Sequence, residues 1–499
     1  MTSIPTQPPE RAQSEPDIPD LFFENRSHYT ALHFDTMDQH DSAFHVVVAK
    51  IAYRLGPCDS LGEAALMELE EAAELNVEDR YNDDQLTGSV RQESDLAPYK
   101  PLCDVIVTGA AYAPPAKRMT RFHVALQVQA PDCAAPLPEQ PQALNPLQGL
   151  SAAVYEAWQK ELAAAQNARI PGAVLINKTL LIHGERHLRK RMWPVRLIQA
   201  ALQLCSFGLV RLNPWRLTRP APCTRVPLLY ELAQGGECRV DAREKAARRV
   251  SKKHRLTPEQ QRVHPDQQSP PIAHDACMRN PLGRGFARRW YLNATAVKQL
   301  PAPQIEYPAQ AFSARRFWRE ANGKASLAIA GLGFVGRAWT PRRQLIGTIR
   351  EKTEWAAEEF PRLPEEFDFR YWNGAPEDQQ CPHLSGRERF TLSNLCEAGT
   401  PFSTTDAKGN TLIRFTLPQQ MFFMLAATTD AQIGVHALHI DTVSIDAEAG
   451  RVDLVWRACL PADGDISGAR LMYAKDQAQL QRVRELLSAD NPDTGRAGT

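Results

Sequence analysis

"MTRFHVALQVQAP", residues 119–131, decides the fold class. Phe122, Val124, Leu126 and Val128 alternate with His123, Ala125, Gln127 and Gln129. Side chains return to the same face of a strand every two residues, so this pattern describes a strand with one buried face. Just upstream, "CDVIVTGAAYAP" (103–114) reads as a second strand, and the intervening "PAKR" suggests a hairpin between the two. "FHVVVAKIAYRL" (44–55) is enriched in Val, Ile and aromatic residues, which suits a strand covered on both faces. Near the other end, "LHIDTVSIDAEAGRVDLVWRACLP" (438–461) is a hairpin in which Val452, Leu454, Trp456 and Ala458 share a face and "DAEAG" turns the chain. Together these stretches predict a mainly β, β-rich α+β protein made of two linked antiparallel β modules with helical insertions.

The insertions announce themselves by a change of texture. "PDCAAPLPEQPQALNP" (131–146) carries five prolines and no periodicity, so it reads as a linker. In the following 147–168, Leu150, Val154, Trp158 and Leu162 recur at helical spacing, which predicts an inserted helix packing one apolar stripe. Strand-like text returns at 172–191. "VRLIQAALQLCSFGLVRL" (195–212) is interrupted by Arg196, Gln199, Gln203 and Arg211, so it is expected to be an amphipathic helix plus strand, with no stable membrane insertion. Residues from about 235 to 280 read as an extended surface loop containing at most a short helix, 349–360 as a helix ended before Pro361, and 474–489 as an amphipathic helix. The expected division is a disordered segment at 1–28, a β-rich domain at 29–310, a second at 311–489 and a disordered tail at 490–499.

Lys+Arg and Asp+Glu both number 58, so the chain is neutral overall and nothing in its charge favours nucleic acid or an anionic membrane as partner. The ten cysteines are scattered with no C-x-x-C pair, and the polar, acidic, Pro-rich start is unlike a signal peptide. A reduced, cytoplasmic setting is expected, with no metal and no cofactor.

Several motifs invite chemistry. "ASLAIAGLGFVG" (325–336) ends in G-x-G-x-x-G, which in a dinucleotide site joins a strand to a helix that opens at the third glycine. The apolar run suits a strand, but Pro341 lies where that helix should run, so no helix is expected and the nucleotide reading is rejected. The glycines are instead expected to let the backbone turn closely beside Phe334 and Trp339. In "HGERH", His183 and His187 lie four apart on strand-like text, roughly 13 Å from each other and unable to share an ion. His436 and His439 fall on opposite faces of a strand. Glu365, Glu366 and Asp368, with Glu377 and Asp378, offer the carboxylates of a glycan-active hydrolase as the alternative function. No G-x-S-x-G elbow or P-loop lysine pattern occurs, so the chain is expected not to be an enzyme.

Three rigid, mixed polar and aromatic patches stand out as partner-binding candidates. "TGSVRQESDLAPYKPLCDV" (87–105) presents Arg91, Glu93, Asp95, Tyr99 and Lys100 between prolines that limit backbone entropy. "RNPLGRGFA" (279–287) offers Asn280 and Arg284, and "FDFRYWNGAPEDQQ" (367–380) offers Trp372, Asn373, Asp378, Gln379 and Gln380. The competing reading is that these are structural corners whose polar side chains cap turns internally.

The same patches carry a family resemblance. "LHFDTMDQHDSAFHVVVAKIAYRL", "TGSVRQESDLAPYKPLCDVIVTGAAYAP", "VPLLYELAQGG", "NPLGRGFA", "LPAPQIEYP", "GLGFVGRAWTPRRQLIGTI", "LPEEFDFRYWNGAPEDQQ" and "IDTVSIDAEAGRVDLVWRA" follow one another from about 30 to 460. In that order they resemble the blocks of a bacterial family of formerly unknown function associated with type VI secretion. The resemblance implies a cytoplasmic adaptor or chaperone that binds a cognate effector with a PAAR-like domain and helps load it onto the spike protein. It brings no catalytic residues. A structural part travelling with the spike is the other role it admits. The family pattern places a His before the Trp of the Gly-rich block, where this chain has Ala338. The helix-bearing stretch near 131–170 and "LIQAALQLCSF" look longer than usual.

Overall fold

The computed structural model describes residues 20–82, 88–114, 117–139, 152–205, 213–264, 266–324, 326–347, 363–430, 432–462 and 465–490. The alternating stretch forms the strand Arg121–Gln129, with Phe122, Val124, Leu126 and Val128 buried and the residues between them wetter. It lies inside a six-stranded antiparallel sheet, between Val174–His183 on one side and Arg389–Ser393 on the other. Ile305–Glu306, Thr411–Thr416 and Thr404–Thr405 complete that sheet.

A seven-stranded sheet is built on Ala43–Cys58, buried without interruption from His45 to Tyr53 as its two-sided apolar text implies. Its order runs Thr30–Met37, Ala43–Cys58, Arg451–Pro461, His439–Asp446, Cys103–Thr108, Gln380–Cys381, with Ala64–Glu68 also paired to Ala43–Cys58. The hairpin His439–Asp446/Arg451–Pro461 forms in antiparallel register, and its turn closes at Gly450 with φ +64. His439–Asp446 then pairs in parallel with Cys103–Thr108. A four-stranded sheet joins Phe22–Asn25, Ile466–Ala474, Met421–Thr428 and Ile433–Ala437. One continuous core takes Ile51, Val105 and Trp456 from the seven-stranded sheet, Leu126, Leu180 and Phe415 from the six-stranded sheet, and Phe422 and Leu471 from the four-stranded sheet.

The mainly β class therefore stands, and several finer expectations are corrected. Residues 103–114 and 119–131 do not form a hairpin: Cys103–Thr108 belongs to the seven-stranded sheet and Arg121–Gln129 to the six-stranded one. Apolar periodicity marks a strand and says nothing of its partner. The division at 310/311 does not follow the sheets, because each large sheet draws strands from both sides of it. Phe22–Asn25, placed in the disordered segment, is a strand parallel to Ile466–Ala474. The loop at 235–280 contains a ladder, Glu237–Val240 with Ala273–Ala276, framing short helical turns. His183 and His187 fall on separate strands, as do His436 and His439, so neither pair lies on one strand. The inserted helix is Ala152–Asn167, but Val154 of its stripe is half exposed. The helix at 349–360, and residues 1–19, 140–151 and 491–499, lie outside the described residues.

Candidate functional site

Alternation on the seven-stranded sheet sends Val47, Ile51, Val105, Val443, Leu454 and Trp456 into the core. The residues between them face the other way, and several are polar: Lys50, Asp104, Thr442, Asp453 and Arg457, all buried. Charges on a buried face need partners. Residues 88–100, with Asn76, supply several of them by lying over this face. Lys50 Nζ lies 2.8 Å from Asp95 Oδ2, which also accepts from the Asn76 amide at 2.8 Å. Lys100 Nζ donates to Asp104 Oδ2 and Thr442 Oγ1, both at 2.8 Å. Burial pulls the Lys100 pKa down, but Asp104 and Asp441 outweigh it and hold the ammonium above its usual range. Arg457 pairs with Asp441 at 2.5 Å and donates to the carbonyls of Asp95 and Ala97.

The block 367–380 closes the same network from the other side. Asp104 accepts from the amides of Gly374 (2.8 Å) and Ala375 (3.1 Å) and from Asn373 Nδ2 (3.1 Å). The Gly-rich block links everything. The Leu332 carbonyl accepts from the Val107 amide and from Gln379 Nε2, the Gly333 carbonyl accepts from Tyr230 Oη, and the Val335 amide donates to the Gly374 carbonyl. Arg342 pairs with Glu93 and donates to the carbonyls of Val335 and Tyr371. Residues 326–333 form no strand, and the helix that was not expected does exist, as the four-residue Thr340–Arg343 with Pro341 in its first turn. An added Cβ at Gly331 would stand 2.4 Å from the Tyr230 ring, and one at Gly336 2.7 Å from Trp339. Close approach of two aromatic rings accounts for those glycines.

The surface reading of the candidates is thus corrected for most of them. Glu93, Asp95, Lys100, Asn373 and Gln379 are buried and serve this network, because the chain spends their polar atoms on backbone and ion pairs, and Trp372 is buried in an aromatic cluster with Phe367 and Tyr371. Asn280 is buried at a different corner, where its Nδ2 donates to the carbonyls of Tyr230 (2.8 Å) and Gln234 (3.1 Å). Arg284, half-buried, reaches Gln304 there, and Gln380 donates to the Ala375 carbonyl. Arg91 and Tyr99 remain exposed, as does Asp378, which accepts from Lys178 Nζ (2.6 Å) and Tyr307 Oη (2.8 Å). Burial pulls the Lys178 ammonium down to about 8 although Asp378 opposes it. Of the proposed catalytic acids, Asp368 caps its own turn and is held below the usual carboxylate range by Arg370. Glu365 and Glu366 are exposed.

Beside the network, the polar face opens into a cleft of about 930 Å³ lined by Asp79, Arg80, Tyr81, Arg91, Phe334, Asp446 and Arg451 among others. Its mixed charges, rigid floor and single aromatic side suit a peptide segment better than an apolar small molecule. Lys50, Asp104, Arg342 and Arg457 escaped the sequence reading, as did His33, Asp35 and His45. For Lys50 and Asp104 a signal was present: a lone charge within an apolar strand, as in "VVVAKIAY" or "CDVIV", announces a buried ion pair.

Fold and cleft define a mainly β scaffold with an ion-pair network on the polar face of one sheet and an open cleft beside it. The chain belongs to the family described as "Uncharacterized protein conserved in bacteria (DUF2169)", whose model matches residues 40–134 and 154–457. The unmatched 135–153 falls within the Pro-rich linker and the start of the inserted helix. No curated protein and no solved structure matches the chain.

Proposed function

We propose that this chain is a non-enzymatic, cytoplasmic adaptor that holds a cognate type VI secretion effector, by its PAAR-like region, until the effector is loaded onto the spike protein. The effector class rests on the resemblance of the sequence blocks. The observation that carries a protein-binding role is the helix Trp193–Cys205, on which Leu197, Ile198, Leu202 and Leu204 are 51%, 62%, 55% and 78% exposed. Four large apolar side chains exposed within one short helix mark a segment that another protein covers. Among the described residues no helix is long and apolar enough to cross a membrane. The ion-pair network beside the cleft supports the same reading, since a rigid scaffold loses little entropy on binding.

Co-expression with the effector encoded beside this chain tests the proposal. The effector is expected to co-purify with it and to gain soluble yield. The triple change Leu197→Ser, Ile198→Ser, Leu202→Ser should abolish the complex while leaving the melting temperature of the free chain nearly unchanged. No complex, and equal effector yield without this chain, would sink the adaptor role.

A further inference from the structure

At the far end of the seven-stranded sheet, on the face away from the polar cleft, the antiparallel strands Thr30–Met37 and Ala43–Cys58 place Asp35 directly opposite His45, with His33 two residues along on the same face. His33 Nε2, His45 Nδ1 and Asp35 Oδ1 converge: the two ring nitrogens are 3.3 Å apart, and they lie 3.1 and 2.7 Å from the one carboxylate oxygen. We propose that these three atoms bind a divalent first-row transition-metal ion at the sheet edge, with its remaining coordination positions open to water or to a ligand from a partner.

The geometry favours an ion over hydrogen bonding alone. If both rings donate to Asp35 Oδ1, two N–H dipoles point side by side at a single oxygen. If one ring donates to the other instead, the carboxylate loses a donor. A cation at the centre accepts a lone pair from all three. Nitrogen and oxygen ligands held at about 2.1 Å and 90–110° from one another are roughly 3.0–3.4 Å apart. Two of the three separations already lie in that range, and the 2.7 Å contact reaches it when the carboxylate withdraws by a few tenths of an ångström.

The surroundings are also suitable. His45 is buried, with its Nδ1 turned toward Asp35 and His33. The His33 ring packs against Phe23, which fixes its place beside Asp35. Asp35 is 39% exposed, which leaves a path from solvent. The ligand set, two imidazoles and a carboxylate, suits zinc, iron, cobalt or nickel better than calcium or magnesium. His33 and Asp35 lie before residue 40, where the family match begins, and His45 lies within it.

The test uses the full chain without a histidine tag, stripped of metal by a chelator. Titration with Zn²⁺ followed by calorimetry should give one saturable site per chain. Co²⁺ should produce the visible bands of nitrogen and oxygen ligation without a thiolate charge-transfer band, which separates this trio from the ten free cysteines. His33→Ala and Asp35→Ala, both on the half-exposed edge strand, should each weaken Zn²⁺ binding on the order of a hundredfold, and the metal-free variants should keep the wild-type circular dichroism. An absence of one-to-one binding in the wild type overturns the proposal whatever the variants do. A thiolate band, or unchanged affinity in folded variants, overturns it equally, since the ion would then be held elsewhere.

Discussion

Glu320 shows how a single side chain ties this fold to pH. It is buried, and accepts from Gln234 Nε2 at 2.6 Å. Burial pushes its carboxyl up to about 7, against the opposing pull of Arg288. The folded chain thus holds this proton more tightly than the unfolded chain does. The resulting stabilisation is complete below the unfolded value of 4.5 and is lost as pH rises through 7. Glu320→Gln, which stays neutral, should gain on the wild type between pH 4.5 and 8 by about 3 kcal/mol in urea unfolding. Parallel curves across that range would refute the assignment. None of this is legible in "RRFWREANGK", where Glu320 looks like any helix acid. The glycines of "GLGFVG" teach the same lesson. They are identical in text, yet Gly331 lies against the Tyr230 ring while an added Cβ at Gly333 would meet nothing within 4 Å. Contact between residues a hundred positions apart leaves no local trace.

At the scale of elements, the chain writes its strands clearly and conceals their partners. Alternation located Arg121–Gln129 and the hairpin ending at Pro461 because those signals are local. The segment 87–105 misled for a physical reason: its prolines and charges look like an exposed loop, whereas Glu93, Asp95 and Lys100 are buried against the sheet face and complete its ion pairs. Its energetic weight can be measured. Lys100→Met leaves Asp104 buried without its cation and should cost about 3–5 kcal/mol in denaturant unfolding. Arg91→Met, on the same segment but exposed, should stay within about 0.5 kcal/mol of the wild type. Equal small effects would restore Lys100 to the surface role expected from sequence.

For the whole molecule, both large sheets cross the boundary expected at 310/311. Fragments 29–310 and 311–489 would each expose unpaired strand edges and half of one core. Neither should give a cooperative melting transition alone, whereas the full chain should show one; two independently folding halves would contradict the shared core. The seven-stranded sheet also sets a schedule. Ala43–Cys58 finds its central neighbour only in Arg451–Pro461, so on a ribosome adding ~5–20 residues per second one of the most apolar strands waits roughly 20–80 s for its mate. During that interval the nascent chain is itself a client for whatever shields unfinished proteins, and a synonymous codon change that slows translation before residue 451 would lengthen its exposure.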